Sequence, residues 1–137
     1  MTGVIITSHG TLAEGFVHAG KMLLGFDLPQ VEAVCLHETD STDTFLAKLK
    51  SAVARLDSGD GVVIFADLLG GTPCNLSRLV MNDRVRVVAG ANLAAIVEFL
   101  SERDDAIELD ALLTEAREAM QVLTPASAPV VEDDDDL

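Results

Sequence analysis

Two short stretches of this chain carry side chains able to do chemistry together. The first is Thr7-Ser8-His9-Gly10-Thr11, where an imidazole follows a β-branched run and precedes a helix start. The second is Asp67-Leu68-Leu69-Gly70-Gly71-Thr72-Pro73, which offers a carboxylate, two glycines and a hydroxyl. Imidazole is a nucleophile near neutral pH. A carboxylate holding one ring N–H fixes the tautomer and leaves the other nitrogen's lone pair free to attack phosphorus. Glycine N–H groups, a threonine hydroxyl and the positive end of a helix stabilise anionic oxygens where basic side chains are absent. The combination suits a phosphohistidine. His9 is the expected phosphoryl acceptor and Asp67 the group that orients it, with Gly10, Thr11, Gly70, Gly71 and Thr72 around the phosphoryl oxygens. Taken singly, each feature has a plainer explanation: a capping histidine, a turn aspartate, glycines that only make a turn. The case depends on their meeting at one place.

The elements that would position them alternate. Val4-Ile5-Ile6-Thr7 reads as a strand buried on both faces. Thr11-Leu12-Ala13-Glu14 matches a capping box, which puts a helix start at Thr11. Phe16, Gly20, Leu23 and Leu24 give that helix an apolar stripe, and Gly25 can end it. Val31–Leu36 is a second strand. Asp40-Ser41-Thr42-Asp43 offers caps for a helix bearing Phe45, Leu49, Val53 and Leu56. Residues 57–61 form a turn before a third strand, Val62–Ala66. Thr72 and Pro73 suit the N-cap and first position of a short helix carrying Leu76, Leu79 and Val80. Val85–Ala89 is strand four, Asn92 caps a helix through Leu100, and a last helix covers residues 109–119. Residues 120–124 either extend it or form one short strand. There is no internal repeat.

Such alternation predicts an α/β fold in three layers, a mostly parallel doubly wound sheet with helices on both faces. Right-handed crossovers give the strand order 2-1-3-4. Ligands then bind in the crevice between strands one and three, at their carboxyl ends. The two loops meet there, so topology alone brings His9 and Asp67 together.

Composition narrows the partners. A length of 137 residues fits one domain, expected over residues 1–124, and 49% hydrophobic residues suffice for its core. Nine basic against 23 acidic residues give a net charge of −14. Residues 132–136 supply five of those acids, and without them nine against 18 still leave −9. Nucleic acid and anionic lipid are poor partners for such a body. Residues 125–137 read as an acidic, disordered tail. No apolar run approaches the roughly 18–20 residues of a membrane span, and the first residues lack signal-peptide features. Cys35 and Cys74 have no CxxC spacing and read as free buried thiols in a reducing compartment, which points to the cytoplasm. Cys74 sits near a helix start, where a thiol can be activated, but reads as a packing residue. His18 and His37 belong to no metal-type pattern and read as structural or solvent-exposed. No metal and no cofactor are expected.

At this point the residues resemble a known family. Ile5-Ile6-Thr7-Ser8-His9-Gly10-Thr11-Leu12-Ala13-Glu14-Gly15 is similar to the amino-terminal signature of mannose-type enzyme IIA domains of the bacterial sugar phosphotransferase system. Met22-Leu23-Leu24-Gly25, Asp67 with Gly70-Gly71-Thr72-Pro73-Cys74-Asn75, and Val88-Ala89-Gly90-Ala91-Asn92-Leu93 resemble it too, across residues 2–124 in order and spacing. The resemblance implies that His9 takes a phosphoryl group from the phosphocarrier protein HPr and passes it to a IIB component. It implies that Asp67 orients the imidazole and that Thr72 bonds the phosphoryl oxygens. It also implies a homodimer with an antiparallel, subunit-exchanged C-terminal edge strand, here near residues 120–124. The membrane components IIC and IID, which choose the sugar, would be reached only indirectly. Cys74 and the acidic tail depart from the family pattern, and the IIB partner is expected as a separate polypeptide. Two alternatives keep the phosphohistidine: the phosphotransfer subunit of a dihydroxyacetone kinase, and a regulatory module switched by phosphorylation of His9. A receiver-type site at Asp67 lacks the acidic Mg²⁺ ligands it needs near the first strand's end, and no G-x-S-x-G elbow supports a hydrolase.

Overall fold

Four apolar, β-branched runs form the sheet: β1 (Gly3–His9), β2 (Val31–Leu36), β3 (Val62–Ala66) and β4 (Val85–Ala89). β3 is buried at every position and β1 at all but His9, as strands covered on both faces require. The helices between and after them are α1 (Leu12–Leu24), α2 (Thr42–Leu56), α3 (Thr72–Ser77), α4 (Leu93–Glu102) and α5 (Leu109–Glu118). A single 3₁₀ turn, Arg78–Val80, follows α3. This computed structural model describes residues 1–103 and 108–126.

The strands pair in parallel in the order β2-β1-β3-β4, as expected. Thr7 lies opposite Ala66 and His9 opposite Leu36. Alternate residues of β1 feed two cores. Val4 and Ile6 join Val63, Phe65, Ile96 and Phe99 beneath α1, α4 and α5. Ile5 joins Ile64, Phe45 and Leu49 beneath α2. Phe65 and Phe99 meet edge to face, with ring centres 5.6 Å apart. Phe45 and Leu49 are fully buried, and truncating either to Ala costs about 2–5 kcal/mol.

The amino ends of the strands are tied to one another's preceding turns. Gly3 N–H donates to the Gly61 carbonyl at 3.0 Å, Val4 N–H to Gln30 at 2.9 Å and Val62 N–H to Arg84 at 2.9 Å. Gly61 has a φ of 81°, and a Cβ there would stand 2.4 Å from the Arg84 carbonyl oxygen, so only glycine fits. The Asp57 carboxylate closes the same region. It accepts from the N–H groups of Gly59 and Gly61 and from Arg84 Nη2.

Helix ends show where local pattern succeeds and where it fails. Ser41 Oγ accepts the Thr44 N–H at 3.1 Å, and Asn92 Oδ1 accepts the Ala95 N–H at 2.9 Å. Gly25, in the left-handed region, ends α1. The capping box at Thr11 does not form. Thr11 has a ψ of 7° instead of the extended backbone a cap needs. Ser8 Oγ takes the Ala13 N–H instead, at 2.7 Å and buried. Along α1 the buried positions are Ala13 and Gly20, while Leu23 is exposed. The cap of α3 is also one residue earlier than expected: Gly71 is extended there, and Thr72 is the first helical residue. Pro73 still fits, because the first turn needs no N–H from it. Leu79 falls on the 3₁₀ turn and is exposed.

After α5, residues 120–126 adopt neither helix nor ladder. Met120, Val122 and Leu123 are 87%, 98% and 85% exposed. The expected extra edge strand is therefore not formed within one chain, and of the expected tail residues 127–137 lie outside the described part.

Candidate phosphoryl-transfer site

His9 is the last residue of β1, and Asp67 follows the last residue of β3. Thr7 and Ala66 are partners in the ladder, so the two side chains leave the sheet side by side at its carboxyl end. Asp67 N–H donates to the Thr7 carbonyl at 3.2 Å, which seats the aspartate. Its Oδ2 then accepts twice from one residue: from the His9 backbone N–H at 3.0 Å and from His9 Nδ1 at 2.9 Å.

An ionised carboxylate only accepts, so a neutral His9 ring bonded in this way would carry its hydrogen on Nδ1 and leave the Nε2 lone pair free. Asp67 is 10% exposed at its side chain and His9 48%. The carboxylate is sheltered and the imidazole is open. Asp67 Oδ1 is buried with no hydrogen-bond partner, so the carboxylate acts on the imidazole through a single oxygen.

The glycines near His9 shape the site more than they donate to it. Gly10 N–H is committed to the Leu36 carbonyl at 2.8 Å, and Gly71 N–H to the Leu68 carbonyl at 3.1 Å. Gly10 and Gly70 occupy the left-handed region, with φ of 55° and 84°. Thr72, as the first residue of α3, has an N–H without an intrahelical acceptor. It shares with His9 and Gly10 an open groove of about 850 Å³. Thr11, Gly70 and Gly71 do not line that groove. Cys74 is buried in α3 and Cys35 in β2, both as free thiols. Among the described residues no group of three or more His, Cys, Asp or Glu is placed to hold a metal.

The far wall of the groove was not foreseen. It comes from the segment after β2, with His37, Asp40 and Thr42. Asp40 accepts the His37 backbone N–H at 2.9 Å and binds Lys48 Nζ through both oxygens. The His37 N–H and the Lys48 ammonium hold its carboxyl below the ordinary range. The available signal was the strand order itself: once β2 lies beside β1, whatever follows β2 must border the crevice.

Fold and site together define a doubly wound α/β domain that presents a carboxylate-held histidine at its topological switch point. The family model described as PTS system fructose IIA component matches residues 3–117, and the chain belongs to this EIIA-man family of the sugar phosphotransferase system. It is 33% identical over 117 residues to the PTS system mannose-specific EIIAB component of Escherichia coli K12, a match covering 84% of this chain. The chain spans 36% of that relative's length. Among solved structures, it superposes on the PTS IIA protein associated with the fucose utilization operon of Streptococcus pneumoniae with a TM-score of 0.81. That pair is 30% identical, and the match covers 88% of this chain and 92% of the other. The mannose/sorbose-specific IIA subunit from Enterococcus faecalis gives 0.78 at 29% identity, covering 93% and 98%. No helix among the described residues is long and apolar enough to cross a membrane.

Proposed function

We propose that this chain is a phosphoryl carrier: His9 accepts a phosphoryl group from phospho-HPr and passes it to a IIB component. The observation that carries this reading is the 2.9 Å contact between Asp67 Oδ2 and His9 Nδ1. It leaves Nε2 as the attacking atom. As the Nε2–P bond forms, the bond from phosphorus to the donor's imidazole nitrogen breaks, and that ring leaves with the electron pair. The His9 ring gains positive character while Nδ1 keeps its hydrogen, and the sheltered Asp67 charge stabilises it. Thr72, through its hydroxyl and the free N–H at the start of α3, faces the phosphoryl oxygens. The reverse motion delivers the group to IIB. No cofactor takes part. The work belongs in the cytoplasm, with the membrane IIC and IID components reached only through IIB.

The working unit is a homodimer in which residues 120–124 pair with the partner's sheet. The support is their near-complete exposure in one chain despite an apolar, β-branched composition.

Incubation with phosphoenolpyruvate, enzyme I and HPr should place one acid-labile, base-stable phosphate on His9. The label should vanish in His9→Ala. Undiminished label in that variant, or an acid-stable one, would overturn the reading.

A further inference from the structure

The groove in front of His9 has a second histidine on its far wall. His37 directly follows β2, which lies beside β1 with Leu36 opposite His9. The bond from Gly10 N–H to the Leu36 carbonyl ties the loop leaving His9 to the segment entering His37. Both histidines line the groove, and its lining contains no lysine or arginine. Lys48, the nearby ammonium, is bound to both oxygens of Asp40 at 3.0 and 2.9 Å. His37 is exposed, and the hydrogen bonds it makes are through its backbone: its N–H donates to Asp40 Oδ2 and its carbonyl accepts the Asp40 N–H, both at 2.9 Å. Its ring makes none among the described residues.

We infer that His37 contacts the phosphoryl group carried on His9, donating a ring N–H to its oxygens when protonated. This rests on the phosphocarrier reading of His9 and adds a residue to it. A phosphoryl group is dianionic, and a charge-assisted N–H···O bond is roughly twice as strong as a neutral one. In a groove with no fixed cation, an imidazolium is the group able to supply it. A contact made by the protonated ring has to weaken as the pH is raised and the ring loses its charge. The charged groups around His37 come from every neighbouring element. They are His9 on β1, Glu14 on α1, Lys48 and Arg55 on α2, and Glu38 and Asp40 in its own loop. Arg55 is paired with Glu32 as Lys48 is with Asp40. Lys48 and Arg55 are thus paired locally, and within the groove's lining His37 is the side chain able to offer the phosphate a charged N–H.

The test compares wild type, His37→Gln and His37→Lys, with His9→Ala as control, in transfer from phospho-HPr. His37→Gln should be about three- to tenfold slower than wild type at about pH 6 and equal to it at about pH 8.5. His37→Lys should restore the rate at both. In ³¹P NMR, the pH step of the His9 phosphate should lie at a lower pH in wild type than in His37→Gln, because a charged neighbour favours the dianion. Equal rates and equal ³¹P titrations in wild type and His37→Gln, with label still on His9, would overturn the role of His37 alone. So would a loss in His37→Gln that is the same at both pH values. Label persisting in His9→Ala would instead overturn the carrier reading beneath it.

Discussion

Gly71 lies against the ring of His9. A Cβ built on Gly71 would stand 2.7 Å from His9 Cε1 and 3.3 Å from Nε2. The backbone there does not ask for glycine, since its φ is −77°; the imidazole does. In Gly71→Ala the ring must rotate or the loop must move, and either displaces His9 Nε2. Phosphoryl transfer should fall about 100-fold, the scale of an ångström-level misplacement. The unfolding midpoint should stay within a few degrees of wild type. Initial rates and calorimetry on the same sample check both halves.

Asp67 should divide by charge. In Asp67→Asn, the amide oxygen can take the place of Oδ2 and keep both bonds to His9, but its NH₂ then enters the buried, partnerless Oδ1 position. A neutral acceptor also stabilises the charged ring less. Transfer should drop about 100-fold in Asn and further in Ala, whose His9 N–H and Nδ1 both lose their acceptor. Nitrogen NMR of the His9 ring should show mixed tautomers in Ala. Wild-type rates in either variant would reduce Asp67 to a turn residue.

Ser8, not Thr11, should be the thermodynamic cap of α1. Ser8→Ala leaves the buried Ala13 N–H without its 2.7 Å partner and should cost about 1–2 kcal/mol in urea unfolding. Thr11→Ala should be within about 0.5 kcal/mol of wild type. The reverse ranking would restore the capping box.

This difference shows what a linear pattern can and cannot disclose. Asn92 is legible as a cap, and among the candidates Asp40 to Asp43 the structure selects Ser41; each begins its helix from an extended backbone. Thr11 stands at the start of α1 as its pattern requires but makes no side-chain cap, and Thr72 lies one residue inside α3, because capping is decided by backbone angles that neighbours set: Gly10 turns left-handed before Thr11, and Gly71 is itself extended. The pairing of His9 with Asp67 was legible because strand alternation dictates the order β2-β1-β3-β4, and that order leaves one crevice. His37, Asp40 and Thr42 had no local signature; they border the site only because β2 docks beside β1. The pattern of residues 120–124 does not choose between helix and strand because their composition suits burial while the described residues of one chain leave Met120, Val122 and Leu123 exposed.

Stability should depend on pH through Asp57. Arg84, followed by the Gly59 N–H, holds its carboxyl below the ordinary value of 3.8. A carboxylate depressed in the folded state stabilises the fold above its unfolded value and loses that contribution as pH falls through the folded one. Asp57→Asn should therefore unfold more easily than wild type near neutrality. The gap should narrow as pH drops below 3.8. Denaturant midpoints across pH 2–7 check this. A gap independent of pH would mean that the charge contributes nothing.

A chain stopped before Met120 should lose its dimer. Val122, at 98% exposure, and Leu123, at 85%, have no cover within one chain. Light scattering should report monomers or aggregates for the shortened form and a dimer for the full one. A shortened form that remains a well-behaved dimer would place the interface elsewhere.

The turns at the amino end of the sheet act at a distance on the opposite pole. In a parallel ladder a slip of one residue turns every side chain to the other face. The bonds from Gly3 to Gly61, from Val4 to Gln30 and from Val62 to Arg84 work against such a slip at that end. Across a strand of seven residues, about 23 Å long, they decide whether His9 arrives level with Asp67. A map of inactivating substitutions should accordingly show two separate patches. One surrounds the histidine. The other gathers at Gly61 and Asp57, where nothing touches phosphate and where an injury would be mistaken for a second binding site.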